Sequence, residues 1–186
     1  MDEKIKKDKA QTEDSVFDNT DDRKRFDFKS KYLDTARFEI RIEAIFLVSV
    51  MITSIVILYL NWKGTLLFIL DIQVGQDTFK RYIYYFASGL LGGITFSMKY
   101  FYRVVARGWW HQDRRVWRIS SPLLSAVIGF MTGVLIEAQL LNTNIPSNGA
   151  SIVAIGFLAG YFADEAVGKM YEIANVIFGT QNTKKG

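Results

Sequence analysis

The chain has 186 residues and a formal net charge of +4, and its hydrophobic residues, 49% of the total, are gathered into long runs. A soluble domain interleaves apolar and charged residues because each surface helix needs a wetted face. The block pattern therefore excludes an ordinary globular enzyme and implies an all-α, polytopic membrane protein. With no cysteine and a single histidine, His111, the chain offers no disulfide, thiol nucleophile or zinc-thiolate site, so neither a metal nor a cofactor is expected.

Residues 1–22 hold eight acidic residues, four lysines and almost no large apolar groups. Such a segment buries too little surface to offset its ordering entropy, so a disordered tail is expected there. Over residues 23–43, Phe26, Leu33, Ala36 and Ile40 recur at near-helical spacing among charges, which predicts a juxtamembrane amphipathic helix.

Residues 44–178 then read as a four-span transmembrane domain. The first span covers residues 44–62, which are free of charge; at about 1.5 Å per residue they match the ~30 Å hydrocarbon core. The following GTLLFILDIQV is too short to cross and is expected at the interface or as a re-entrant piece. Residues 82–102 make the second span, with Lys99 near its end able to snorkel. A basic, tryptophan-rich loop is expected over residues 103–120, and a third span to residue 141 with Pro122 in its first turn. After the polar turn at 142–150, a fourth run begins at residue 151. It continues as an amphipathic pattern to Phe178, before Gly179, and residues 179–186 form a C-terminal tail. One helix over residues 151–178 would be about 42 Å long, so residues 164–178 are expected to protrude on the cytoplasmic side, with Glu165 and Lys169 paired on its surface.

Of the 23 lysines and arginines, 20 fall in the N-terminal region, the 99–118 stretch and the C-terminal part, and 3 (Lys63, Lys80, Arg81) between the first two spans. The positive-inside rule places the 20-residue side in the cytoplasm, with both termini there, and the natural location is a bacterial inner membrane. Trp62, Trp109, Trp110 and Trp117 all fall at headgroup level in this arrangement, as an aromatic belt requires.

Helices in lipid associate through small residues. Ser125, Gly129 and Gly133 repeat every four residues in the third span, and Gly156 and Gly160 do so in the fourth. These ribbons predict a close antiparallel hairpin, within one chain or between chains of a homo-oligomer. Glu137 is a carboxylate inside the third apolar run. It reads either as the lining of an ion pathway in an oligomer or as a boundary carboxyl capped by Gln139 or the neighbouring polar turn.

The segment holding Arg107, Trp109, Trp110, His111, Arg114, Arg115, Trp117 and Arg118 suits anionic lipid headgroups, at roughly 1 kcal/mol per basic residue near the surface. A cytosolic protein partner is the alternative occupant, and a nucleic acid is disfavoured. No phosphate loop, nucleophile elbow, zinc-protease motif or dinucleotide fingerprint occurs. Arg107 and His111 are too close in sequence for the R-x4–6-H pattern of HEPN ribonucleases. An enzyme is not expected.

The motifs GWWHQDRRVWRISSPLLS (residues 108–125) and GFLAGYFADEAVGKMYEIANVIFG (residues 156–179) resemble those of a group of small bacterial multi-pass membrane proteins. The resemblance covers the C-terminal half and implies a membrane location, with no activity to transfer. The overall design of a charged cytosolic tail, a few spans and no catalytic set also looks like the membrane effectors and sensors of anti-phage defence systems. The leading expectation is thus a non-enzymatic, homo-oligomeric inner-membrane protein that forms a pore or perturbs the bilayer, as a defence effector. The rival expectation is a membrane anchor, scaffold or sensor that recruits a cytosolic partner. A small-solute transporter is disfavoured because no inverted repeat is visible.

Overall fold

A computed structural model describes residues 30–141 and 148–178. Every regular element in them is helical: α1 (Asp34–Lys63), α2 (Thr65–Ile69), α3 (Gln76–Ala106), a 3-10 turn (Gln112–Arg114), α4 (Arg115–Glu137), α5 (Gly149–Tyr161) and α6 (Ala163–Phe178). The expected tails at residues 1–22 and 179–186 lie outside the described residues.

Two helical stretches are long and apolar enough to cross a membrane, Asp34–Lys63 and Gln112–Glu137, and the bent pair α5–α6 makes a third when taken together. The first span and the second half of the expected juxtamembrane helix are one unbroken helix. It ends where Gly64 takes a left-handed φ of 75° and its N–H bonds to Asn61 O at 3.1 Å. The GTLLFILDIQV stretch folds as short α2 and a turn, too short a helix to cross a membrane.

α3 is the centre of the bundle. It runs antiparallel to α1, with Ser54 Oγ donating to Ala87 O at 2.7 Å and Asn61 Nδ2 donating to Lys80 O at 2.9 Å. Toward the other end, Leu47 of α1 packs with Ile94 and Phe101 of α3 and with Trp110. α4 packs antiparallel on another face of α3: a Cβ on Gly89 would lie 2.9 Å from Ser125 O and 3.0 Å from Gly129 Cα. α5 runs parallel to α3: a Cβ on Gly156 would lie 2.0 Å from Ser88 Oγ, and one on Gly160 2.0 Å from Gly89 O.

The glycine ribbons are therefore used within one chain. Gly129 and Gly133 on α4, and Gly156 and Gly160 on α5, all meet α3, and a Cβ on Gly129 would also lie 3.4 Å from Gly156 O, so the expected close antiparallel pairing of α4 and α5 forms with α3 packed along it. This also explains why α3 itself is less apolar than a usual span. Its buried positions include Gly89, Gly92, Gly93, Ser88 and Ser97, beside Tyr85, Leu90, Ile94 and Phe101, so close backbone approach as well as side-chain burial holds its neighbours.

Two further expectations need correction. Pro122 is not in the first turn of its helix, since α4 begins at Arg115 and holds Pro122 in its interior. The fourth apolar run is not one straight helix, because α5 and α6 meet at 99°. Phe162, at φ −108° and ψ 51°, is the vertex, and its N–H closes the last turn of α5 on Leu158 O. Tyr161 is held on α3 by an edge-on contact with Phe96 and by Lys99 Nζ, which donates to its hydroxyl at 3.1 Å. α5 thus follows α3 only to the level of Phe96, and α6 turns away. Ala166, Met170 and Ile173 of α6 share a small cavity of about 220 Å³ with Thr132, Leu135 and Leu141. Lys169 pairs with Glu172 at 2.8 Å rather than with Glu165.

Candidate functional site

The basic segment at the α3–α4 connection is ordered by backbone chemistry first. α3 ends at Ala106, Gly108 adopts φ 75°, and two bonds close the helix end: Gly108 N to Val105 O at 3.2 Å and Trp109 N to Val104 O at 2.9 Å. This is the glycine-terminated Schellman arrangement. The 3-10 turn then leads straight into α4. The expected loop over residues 103–120 is accordingly a short connection around residues 107–111, flanked by helix on both sides.

The turn is clamped to the start of α1. Arg118 is 1% exposed and Glu43 0%. The guanidinium engages both carboxylate oxygens, through Nε to Oε1 and through Nη2 to Oε2 at 2.9 Å. Trp110 Nε1 donates to the same Oε2 at 2.9 Å, and Arg118 Nη2 also donates to His111 O at 3.2 Å. The guanidinium carbon lies 5.6 Å from the Trp110 ring. A second rung, Arg115 with Glu39, runs alongside and is about one-third exposed. Tyr32 adds a third tie, its hydroxyl donating to Val105 O at 3.1 Å and accepting from Trp110 N at 3.3 Å. No buried side-chain nitrogen or oxygen of the cluster is left without a partner, as a buried ion pair requires.

The eight residues expected to form one lipid or partner surface divide into two sets. Trp110 and Arg118 are buried and serve the clamp, which corrects their assignment to that surface, and Arg115 is committed to Glu39. Arg107, Trp109, His111, Arg114 and Trp117 remain exposed, together with Arg103. They form a rim: the Arg107 guanidinium lies 5.3 Å from the Trp109 ring, Arg114 Nη1 donates to Tyr100 OH at 3.3 Å, and Tyr100 meets Trp117 edge-on at 5.3 Å.

Sequence reasoning missed Glu39, Glu43 and Tyr32. A signal was present: two carboxylates four apart on one helix, and two arginines three apart on another, are complementary rungs. Glu137, the carboxylate that was singled out, lies at the far end of α4. It pairs with Arg81 at 3.1 Å, and its side chain is 26% exposed. Gln139 does not cap it; that residue takes a left-handed φ of 58°.

Among the described residues, no group of His, Asp and Glu converges as a metal site would. Compared with protein-family models, curated proteins and solved structures, the chain matches none of them.

Proposed function

We propose that this chain is a membrane-embedded scaffold whose arginine–tryptophan rim lies at the cytoplasmic face of a bacterial inner membrane. There the rim grips anionic headgroups and presents a fixed docking surface to a cytosolic protein. The observation that carries this reading is the Glu43–Arg118–Trp110 clamp. Burying two charges is costly, and here that cost holds one short connection rigid at the end of the bundle. Rigid presentation suits recognition, since ordering costs are met before the partner arrives.

In this reading α1, α3 and α4 each cross the bilayer, α3 by virtue of lying antiparallel between apolar neighbours. The pair α5–α6 is a broken fourth segment. The bend at Phe162 and the nearness of α6 to Leu135 and Leu141 support a re-entrant course. The count of basic residues supports the rim as the cytoplasmic side. The described C-terminal end then returns toward the Glu137 side, which differs from the expectation of both termini in the cytoplasm.

The pore and defence-effector reading is the weaker proposal because its two motives have other uses. The glycines hold α4 and α5 on α3, and Glu137 is neutralised by Arg81. The deciding experiment compares wild type with Arg103→Ala/Arg107→Ala/Arg114→Ala by in-cell crosslinking from the rim, alongside ion-flux assays in liposomes. The scaffold reading expects a soluble protein crosslinked to wild type and lost from the variant, with no flux from either. Robust flux from wild type, or an unchanged crosslink pattern, overturns it.

A further inference from the structure

At the end of the bundle away from the rim, α1 and α5 diverge and leave an apolar cleft of about 980 Å³. Ile55, Leu58 and Trp62 line one wall, Ala150, Val153 and Ala154 the other, and Tyr84 of α3 also lines it. Both walls are fixed to α3 close by, α1 through Ser54 to Ala87 O and α5 through the Gly156 contact with Ser88. The cleft is therefore preformed, and its volume is near the upper end for small-molecule sites. The first part of its α5 wall, Gly149, Ala150, Val153 and Ala154, is built of small side chains, which leaves room for an elongated guest, and Phe157 and Leu158 continue the wall beyond them.

The mouth has a different chemistry. Tyr59 and Trp62 of the cleft adjoin Lys63, whose ammonium lies 4.9 Å from the Tyr59 ring centroid. An apolar slot closed at one end by two amphipathic rings and a cation matches one class of molecule in a bilayer, an anionic glycerophospholipid. Its tail occupies the slot and its phosphate meets the lysine. The α1 face beside the slot is exposed at Ile52, Val56 and Tyr59, which gives the tail a lateral entry from the bilayer.

We infer that the α1–α5 cleft is a specific phospholipid site, taking one acyl chain along Ile55–Trp62 and the headgroup phosphate at Lys63. The site rests on the membrane reading proposed above and is independent of the rim. A phosphate or a sulfate alone would not fill it, because the lining is apolar and Lys63 stands beside the cleft against Tyr59 rather than in its lining.

The test uses the full chain in nanodiscs containing phosphatidylglycerol with a photoactivatable group midway along one chain, followed by mapping of the labelled peptides. Label is expected to concentrate on residues 55–62 and 149–158. Ala154→Trp fills the slot from an exposed position and should lower that label about tenfold without loss of folded protein. Lys63→Gln should leave the tail contact in place and remove the preference for phosphatidylglycerol over phosphatidylcholine. Equal labelling of wild type and Ala154→Trp would mean annular lipid only and would overturn the site. Crosslinks joining two copies across the cleft would assign it to a second chain instead. A wild-type chain that takes no label anywhere along α1 would refute the membrane reading itself, an outcome distinct from labelling that merely avoids the cleft.

Discussion

Arg118 and Glu43 stand 75 residues apart in the chain and meet as a buried pair joined at both carboxylate oxygens. With the Arg115–Glu39 rung beside it, the pair ties α4 to α1 although both helices otherwise pack chiefly on α3. The asymmetry of buried ion pairs gives the first prediction. Removing one partner strands the other charge, which costs about 3–5 kcal/mol, whereas replacing both with apolar residues is close to neutral. Arg118→Met and Glu43→Leu should each lower the thermal midpoint sharply in detergent, while the double variant recovers most of the loss. A double variant as unstable as the sum of its parts would show that the two residues are not energetically coupled and would overturn this account.

The outer rung should behave differently. Arg115 and Glu39 are each about one-third exposed, so solvent screens their attraction. Arg115→Ala is expected to cost no more than about 1 kcal/mol in the same melting assay, and less as salt is raised. A loss as large as that of Arg118→Met would mean the two rungs act as one buried unit.

The glycines separate into those that meet another backbone and those that do not. A Cβ at Gly160 would sit 2.0 Å from Gly89 O, an atom that cannot swing aside, whereas Gly168 on α6 has nothing within 4 Å. Gly160→Ala should therefore push α5 off α3 at a cost of about 1–3 kcal/mol or more. Gly168→Ala should stabilise α6 by up to about 1 kcal/mol through helix propensity alone. Melting of the two variants in one detergent checks both signs. If the two changed stability alike, the α3–α5 contact would be placed wrongly.

The apolar runs were legible because span-forming composition is a local, additive property. Residues 44–62 fall inside α1, and the third run overlaps the Gln112–Glu137 stretch, whose helix stops at Glu137, short of the expected residue 141. What was not legible depended on partners far away in sequence. Glu43 read as a residue at the edge of an apolar run until Arg118 was seen opposite it. The ribbon of Gly129 and Gly133 announced a close helix contact, but not that Tyr85 and Gly89 of α3 would fill it. The bend at Phe162 carries no proline or glycine at its vertex. Its visible correlates are tertiary, the Gly160 contact and the hold on Tyr161. The motif search found the Trp/Arg segment, and the periodicity within it (Trp110 and Arg118 inward, Trp109 and Trp117 outward) required the fold.

Glu137 provides a direct contrast between the scaffold and pore readings. Its partner Arg81 is 36% exposed, so the pair lies at a wet boundary and contributes little to stability. Glu137→Gln is expected to change the thermal midpoint by the equivalent of about 1 kcal/mol or less, and liposomes carrying the variant should be as tight to sodium and potassium as those carrying wild type. A change in ion selectivity on this substitution would restore the carboxylate as the lining of a pathway.

The course of the last two helices can be read by labelling, since the chain has no native cysteine to give background. Arg107→Cys places a thiol on the exposed rim, and Val176→Cys places one on α6 at a position 83% exposed. A membrane-impermeant maleimide added to intact spheroplasts should leave Cys at 107 unmodified until the membrane is opened, because the rim faces the cytoplasm. If α5–α6 turns back beside Leu135 and Leu141, Cys at 176 should react before the membrane is opened, or be shielded by lipid but never report the rim's side. Modification of both positions only after permeabilisation would instead mean that α5 and α6 straighten at Phe162 into a complete fourth crossing. The 99° bend would then describe the chain outside a bilayer, and the hydrocarbon core, which favours helices that satisfy every backbone group, would have drawn the two halves into line.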